Sequence, residues 1–111
     1  MRSYLIDELN STDMHHLLAN LDSREMKASV ENMYWLELPE NLLTEEQREH
    51  CDQCGPFICS LETGPNWLKA ELLVRGRGKL RCSCIAYATP EQRDWILERI
   101  DAMLGELDIP V

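Results

Sequence analysis

Residues 57–88 read FICSLETGPNWLKAELLVRGRGKLRCSCIAYA, and their alternation determines the architecture of the chain. Three alternating segments are separated there by turn-forming residues, TGPN at 63–66 and GRG at 76–78. A period of two is typical of β-strands, and Gly, Pro and Asn between such segments mark turns. The stretch therefore predicts three successive antiparallel strands, at 57–62, 67–75 and 79–88.

Two further segments upstream have strand character. Residues 33–38 (MYWLEL) are rich in aromatic and apolar side chains and are followed by Pro39, which ends a strand. Residues 2–9 (RSYLIDEL) are a possible fifth strand, although their periodicity is unclear.

Three helices are predicted around these strands. Met14, Leu17, Leu18 and Leu21 recur at helical spacing and form one apolar stripe. Thr-Glu-Glu-Gln at 44–47 is a capping box that opens a helix to about residue 54. Thr-Pro-Glu-Gln at 89–92 is a second capping box, and the C-terminal helix that it opens carries an apolar stripe of Ile96, Ile100, Met103, Leu104 and Leu107.

Strands and helices in this order predict a two-layer α+β fold with a mainly antiparallel sheet of four strands, five if residues 2–9 join it. The C-terminal helix is expected to pack on the sheet. The chain has 111 residues and no internal repeat or linker, so residues 1–111 are predicted to form a single domain.

The charge of the chain is strongly acidic but unevenly distributed. Twenty acidic and 11 basic residues give a net charge of −9, which argues against nucleic-acid binding. Residues 53–89 nevertheless carry a net charge of +3. The positive residues around the GRG turn are Arg75, Arg77, Lys79 and Arg81. They form either an anion site at a hairpin tip or, as we favour, solvated charges beside a tight turn.

Composition also predicts where the protein is found. No run of about 20 apolar residues is present, so no membrane span is predicted. Asp7 and Glu8 interrupt the N-terminal segment, where a secretory signal would need an apolar run. We therefore expect a cytoplasmic protein, in which structural disulfides between the five cysteines are not expected.

The cysteines form a candidate metal site. Cys51-Asp52-Gln53-Cys54-Gly55 has the form of a zinc knuckle, in which two thiolates converge on one ion. The predicted ligand set is Cys51, Cys54, Cys82 and Cys84, with Cys59 or His50 as substitutes and zinc or iron as the ion. Its weakness is the second pair, because residues two apart on a regular strand lie about 6.6 Å apart at Cα and do not converge.

Two other interpretations of the cysteines stay open. The favoured one places all five thiols inward, where a free cysteine acts as a small hydrophobe. Redox chemistry is least favoured, because the Cys-x-x-Cys pair lies at the C-terminal end of its helix, where the thiol pKa is not lowered. His50 and Cys51 are adjacent on a helix and do not face each other, so they do not predict a catalytic pair.

The opposite face of the sheet carries large side chains among charges. The candidate interface residues are Trp35, Trp67, Leu73, Ile85 and Tyr87. Either the first helix covers this face or a partner does, and such residue types are enriched in interfaces. No catalytic arrangement is recognisable, so the leading expectation is a non-enzymatic protein that acts by protein association, as a homodimer. A metal-binding module is the alternative.

Overall fold

The computed structural model describes residues 2–24, 27–28, 31–78 and 82–110. Within these ranges the strands are β1 (Ser3–Ile6), β2 (Met33–Glu37), β3 (Phe57–Thr63), β4 (Leu68–Glu71), β5 (Leu73–Gly76) and β6 (Ala86–Tyr87). The α-helices are α1 (Ser11–Ser23), α2 (Glu45–Glu49), α3 (Cys51–Cys54) and α4 (Pro90–Glu106), with a 3₁₀ turn at Glu40–Leu42. The predicted α+β fold with a mainly antiparallel sheet is confirmed.

The six strands form one sheet with β3 at its centre. β2 pairs with β3 on one side, and β4 and β5 pair with it on the other. β1 then pairs with β4, and β6 with β5, so the sheet is four strands wide. The possible fifth strand at residues 2–9 is present as β1.

The predicted strand at 67–75 is interrupted at Leu72. Ala70 lies opposite Leu61 and Arg75 opposite Ile58, so four residues face two, as in an extended β-bulge. The Leu72 N–H donates to the Arg2 carbonyl (2.9 Å), and the Leu72 carbonyl accepts from the Ala88 N–H (2.8 Å). The strand that pairs with this segment on the side away from β3 therefore changes at Leu72, from β1 beside β4 to β6 beside β5.

The inner face of the sheet carries the core, as the alternation predicts. Inward side chains of β3, β4 and β5 are buried together with the stripes of α1 and α4. Tyr34 donates to Asp22 of α1 (3.1 Å), and Tyr4 donates to Asp101 of α4 (2.7 Å). Both long helices therefore lie on the inner face, and the possibility that α1 covers the outer face is wrong.

Both predicted capping boxes are confirmed, and they meet in the core. Thr44 caps α2 with Gln47, and Thr89 caps α4 with Gln92. The two glutamines are 1% and 0% exposed. The Gln92 Nε2 donates to Gln47 Oε1 (3.0 Å) and to the Leu42 carbonyl (2.9 Å), so the starts of the two helices are joined by buried hydrogen bonds.

Two further predicted elements differ in extent. In the described part of the strand predicted at 79–88, only Ala86–Tyr87 is a strand, because residues 82–85 form a turn in which the Ile85 N–H donates to the Cys82 carbonyl (3.2 Å). Residues 79–81 lie outside the described residues. The helix predicted at 44–54 is divided at His50 into α2 and α3. No helix in the described ranges is both long enough and apolar enough to cross a bilayer.

Candidate metal centre

The junction of α2 and α3 supplies two side chains to one cluster. His50 ends α2 and precedes α3, and the Cys54 N–H donates to its carbonyl (2.7 Å), which completes one helical turn. Residues four apart lie on the same side of such a turn. Cys51 is one position further along and points elsewhere, lining a cavity of about 410 Å³ with Leu43 and Trp95.

The turn before β6 supplies the other two side chains. A regular strand would separate the thiols of Cys82 and Cys84, whereas the turn closed by Ile85 brings them together. The expectation from strand geometry that Cys82 and Cys84 do not converge is therefore wrong, because these residues lie on a turn. Ser83 lies between them and donates to Glu46 of α2 (2.6 Å), which holds the tip of the turn against α2.

The donor atoms of His50, Cys54, Cys82 and Cys84 all lie within 4.8 Å of one another. His50 Nδ1 is 3.0 Å from Cys82 Sγ. With Zn–S bonds of about 2.3 Å and Zn–N bonds of about 2.0 Å, the edges of a tetrahedral site measure about 3.5–3.8 Å. Movements of about 1 Å or less would therefore bring all four donors onto one ion.

The electrostatics of the cluster concentrate negative charge on one sulfur. The pKa of the Cys82 thiol is lowered to about 6, chiefly by hydrogen bonds from the backbone and side chain of Cys84, with smaller effects from His50 and Cys54. Burial raises the pKa of the Cys84 thiol to about 12, and the neighbouring sulfurs add to this. One thiolate is thus already favoured where a cation would bind.

A close backbone approach positions Cys54. A Cβ atom at Gly76 of β5 would overlap the Cys54 carbonyl, so only glycine lets α3 lie this near to the strand. The N–H of Gly78 donates to the same carbonyl (2.8 Å). The GRG turn therefore packs against the backbone of Cys54, one of the candidate ligands, and fixes its position.

The buried glutamine pair reaches the other side of the cluster. Gln47 Nε2 lies 3.4 Å from the Cys84 carbonyl and donates to it. Through Gln92, this contact links the backbone of a candidate ligand to the start of α4. Such hydrogen bonds orient metal ligands from outside the coordination shell.

The remaining predicted metal ligand, Cys59, lies apart from the cluster. Its side chain is 0% exposed on the inner face of β3, where it belongs to the hydrophobic core. Burial raises the pKa of its thiol to about 12. The predicted inward position is therefore found for Cys59 and also for the buried Cys54 and Cys84, whereas Cys51 and Cys82 are only half-buried.

The candidate interface residues occupy the outer face and its edge, and the aromatic ones have cations as neighbours. Arg77 lies 4.2 Å from the ring centre of Trp35, Arg2 lies 4.6 Å from that of Tyr87, and Lys69 lies 5.9 Å from that of Trp67. Leu73 and Ile85 are half-buried, and Tyr87 is 45% exposed. The pairs of Trp35 and Tyr87 join residues far apart in sequence, so the sequence does not reveal them, whereas Lys69 and Trp67 are two positions apart on one face.

Of the four cations around the GRG turn, the structure describes Arg75 and Arg77. Arg75 lies on the outer face and donates to Ser60 (3.1 Å). Arg77 lies on Trp35, at the edge of the sheet, and Lys79 and Arg81 lie outside the described residues.

No family model matches the chain, and neither the curated proteins nor the solved structures contain a match. The assignment of a function therefore depends on the geometry and chemistry of the side chains.

Proposed function

We propose that this protein binds a zinc ion through His50, Cys54, Cys82 and Cys84, and that the ion stabilises the fold. The observation that carries the proposal is the approach of all four donor atoms to within 4.8 Å. One imidazole and three thiolates are a ligand set typical of structural zinc, whereas catalytic zinc keeps one position open for water. The proposed role is therefore structural rather than catalytic.

The position of the cluster explains what the ion would stabilise. It joins the α2–α3 junction to the turn before β6, two segments that are far apart in sequence. β6, which follows this turn, is a strand of only two residues. A metal that binds only the folded state adds its binding free energy to stability. Zinc would therefore stabilise the packing of the turn before β6 against the α2–α3 junction.

The thiols also indicate a compartment. None of the five cysteines, all of them among the described residues, forms a disulfide, and thiols that must stay reduced for metal binding fit a reducing environment. We propose the cytoplasm as the location.

The metal content of the purified protein tests the proposal. Protein prepared without chelator is expected to contain about one zinc per chain by elemental analysis. Cys54→Ser should lose most of it, while Cys51→Ser, the same substitution three residues away, should retain it. Iron in place of zinc would assign a different ion to the same ligands. A wild-type content below about 0.1 metal per chain would contradict the proposal.

A titration with Co²⁺ separates loss of binding from loss of folding. Thiolate-to-cobalt absorption should develop in wild-type protein and in Cys51→Ser, and should saturate near one equivalent. Variants are compared only where circular dichroism shows a folded chain. Equal cobalt spectra for folded Cys54→Ser and wild type would exclude Cys54 as a ligand.

Self-association through the outer face is the second candidate function. It is favoured by the placement of both α1 and α4 on the inner face, with Leu5 (53% exposed) and Tyr87 left outside. The face carries charges of both signs, such as Lys69 and Glu62, which can complement those of a second copy related by a two-fold axis. Sedimentation equilibrium at about 100 µM should detect a dimer that Tyr87→Glu dissociates, and a strictly monomeric wild type would reject it.

A further inference from the structure

A cavity of about 310 Å³ beside the edge strand β2 gathers positive charge from three separate parts of the chain. Its cations are Arg24 at the end of α1, Lys27 in the segment leading to β2, Arg77 beyond β5 and Arg99 on α4. None of these residues belongs to the metal centre. Arg24 and Lys27 are three residues apart, but Arg77 and Arg99 come from distant parts of the chain, so the convergence of the three groups is a property of the tertiary fold.

The charge of this cavity is opposite to that of the molecule. Glu37 is the one acidic residue among the described residues of the lining, which together carry a net charge of +3 in a chain whose net charge is −9. Among the described residues, Arg24 is the only one of the four cations with a carboxylate within 4.0 Å, that of Glu106 at 2.9 Å. Converging cations repel one another, and an anion bound between them would relieve that repulsion.

The lining of the cavity is mainly polar and also includes apolar residues. Trp35 and Trp95 supply two indoles, and Leu36, Pro56 and Ile58 supply aliphatic surface. Arg77 is held in place, because its guanidinium lies 4.2 Å from the ring centre of Trp35 and its N–H donates to the Pro56 carbonyl (2.8 Å). Small-molecule sites combine fixed polar groups with aromatic and aliphatic surface, and both are present in this mainly polar lining.

We propose that this cavity binds a small organic phosphate. Guanidinium groups match phosphate oxygens in two-pronged hydrogen bonds, and a doubly charged phosphate ester balances most of the charge of the lining. A simple carboxylate would leave more of that charge uncompensated. The indoles and aliphatic residues provide the surface against which the organic part packs.

The three tryptophans provide a direct readout. Trp35 and Trp95 line the cavity, whereas Trp67 lies by another depression next to Leu5 and Asn66. In a titration with phenyl phosphate followed by ¹H–¹⁵N NMR, the indole N–H signals of Trp35 and Trp95 should shift, with saturation at about millimolar concentration or below. The Trp67 signal should stay in place. Shifts of all three indoles, or of none, would overturn the proposal.

Two charge-matched variants test the role of the cations. Arg99→Gln removes a cavity cation from α4 and should weaken phenyl phosphate binding about tenfold. Arg93→Gln makes the same change on the same helix at a residue paired with Asp94 outside the cavity, and should bind like wild type. If both variants weaken phenyl phosphate binding equally, the loss comes from net charge alone, and the proposed site is wrong.

Inorganic phosphate tests the organic part of the assignment. If the apolar residues contribute, phenyl phosphate binds about tenfold more tightly than inorganic phosphate, and benzyl alcohol, which lacks the charge, does not bind detectably. Equal affinities for the two phosphates would overturn the claim that the ligand is organic. The cavity shares no residue with the metal centre, so failure here is separate from failure of zinc binding.

Discussion

At the scale of single residues, the three positions Cys51, Cys54 and Cys59 have different surroundings although their side chains are the same. Cys54 lies in the cluster with His50, Cys51 lines a cavity, and Cys59 is enclosed by the core. A thiol reacts as its thiolate, so access to solvent and pKa together determine how fast an alkylating reagent attacks it.

Alkylation with iodoacetamide near pH 8 should therefore proceed in a fixed order. In zinc-loaded protein Cys51 should react first, because it is half-buried and lies outside the proposed ligand set. Cys59 should react only after unfolding, since burial raises the pKa of its thiol to about 12 and leaves almost no thiolate. Peptide mapping by mass spectrometry measures the order. Labelling of Cys54 as fast as Cys51 before chelation would contradict it.

The composition of the candidate centre could be predicted only in part from the sequence. Spacing identified Cys54, Cys82 and Cys84, and named His50 as a substitute ligand. The Cys-x-x-Cys pattern favoured Cys51, and helix geometry alone does not choose between residues 50 and 51, because residues three and four positions from residue 54 both lie on its side. His50 is selected by the tertiary fold, which brings its Nδ1 to 3.0 Å from Cys82 Sγ.

At the scale of elements, the capping boxes were predictable and their meeting was not. A Thr-x-x-Gln pattern is local, so the starts of α2 and α4 follow from the sequence. That Gln47 and Gln92 then bond to each other in the core depends on how the two helices pack. The turn at residues 82–85 was missed for a related reason, because alternating small residues fit a strand as well as they fit a turn.

Replacing Gln92 by leucine tests the joined caps. The substitution removes the hydrogen bonds to Gln47 and to the Leu42 carbonyl and half of the capping box. Because buried polar groups are left unpaired, the free energy of unfolding should fall by about 1–3 kcal/mol. Urea denaturation measures it. The matched control Gln53→Leu, at an exposed position on α3, should stay within about 0.5 kcal/mol of wild type, and equal losses would contradict the argument.

At the scale of the whole molecule, the loop after β5 joins the two proposed sites. Gly78 donates to the carbonyl of Cys54, one of the candidate ligands, and the adjacent Arg77 both donates to the Pro56 carbonyl and covers Trp35 of the cavity. The hydrogen bonds run from the metal centre to the cation that lines the anion cavity. An ion that fixes Cys54 would therefore also restrict the position of Arg77.

Removing zinc should accordingly weaken binding of phenyl phosphate, by about fivefold or more, because the loop loses its anchor at Cys54. Linkage requires the reverse effect with the same factor, so phenyl phosphate should raise the affinity for zinc equally. Calorimetric titrations of each ligand with and without the other measure both arms, using zinc-free protein that circular dichroism shows to be folded. Adding zinc to Cys54→Ser should not restore phosphate affinity, whereas Cys51→Ser should respond as wild type does. Equal phosphate affinities in folded zinc-free and zinc-loaded protein would mean that the loop positions Arg77 without the ion, and that the two sites are independent.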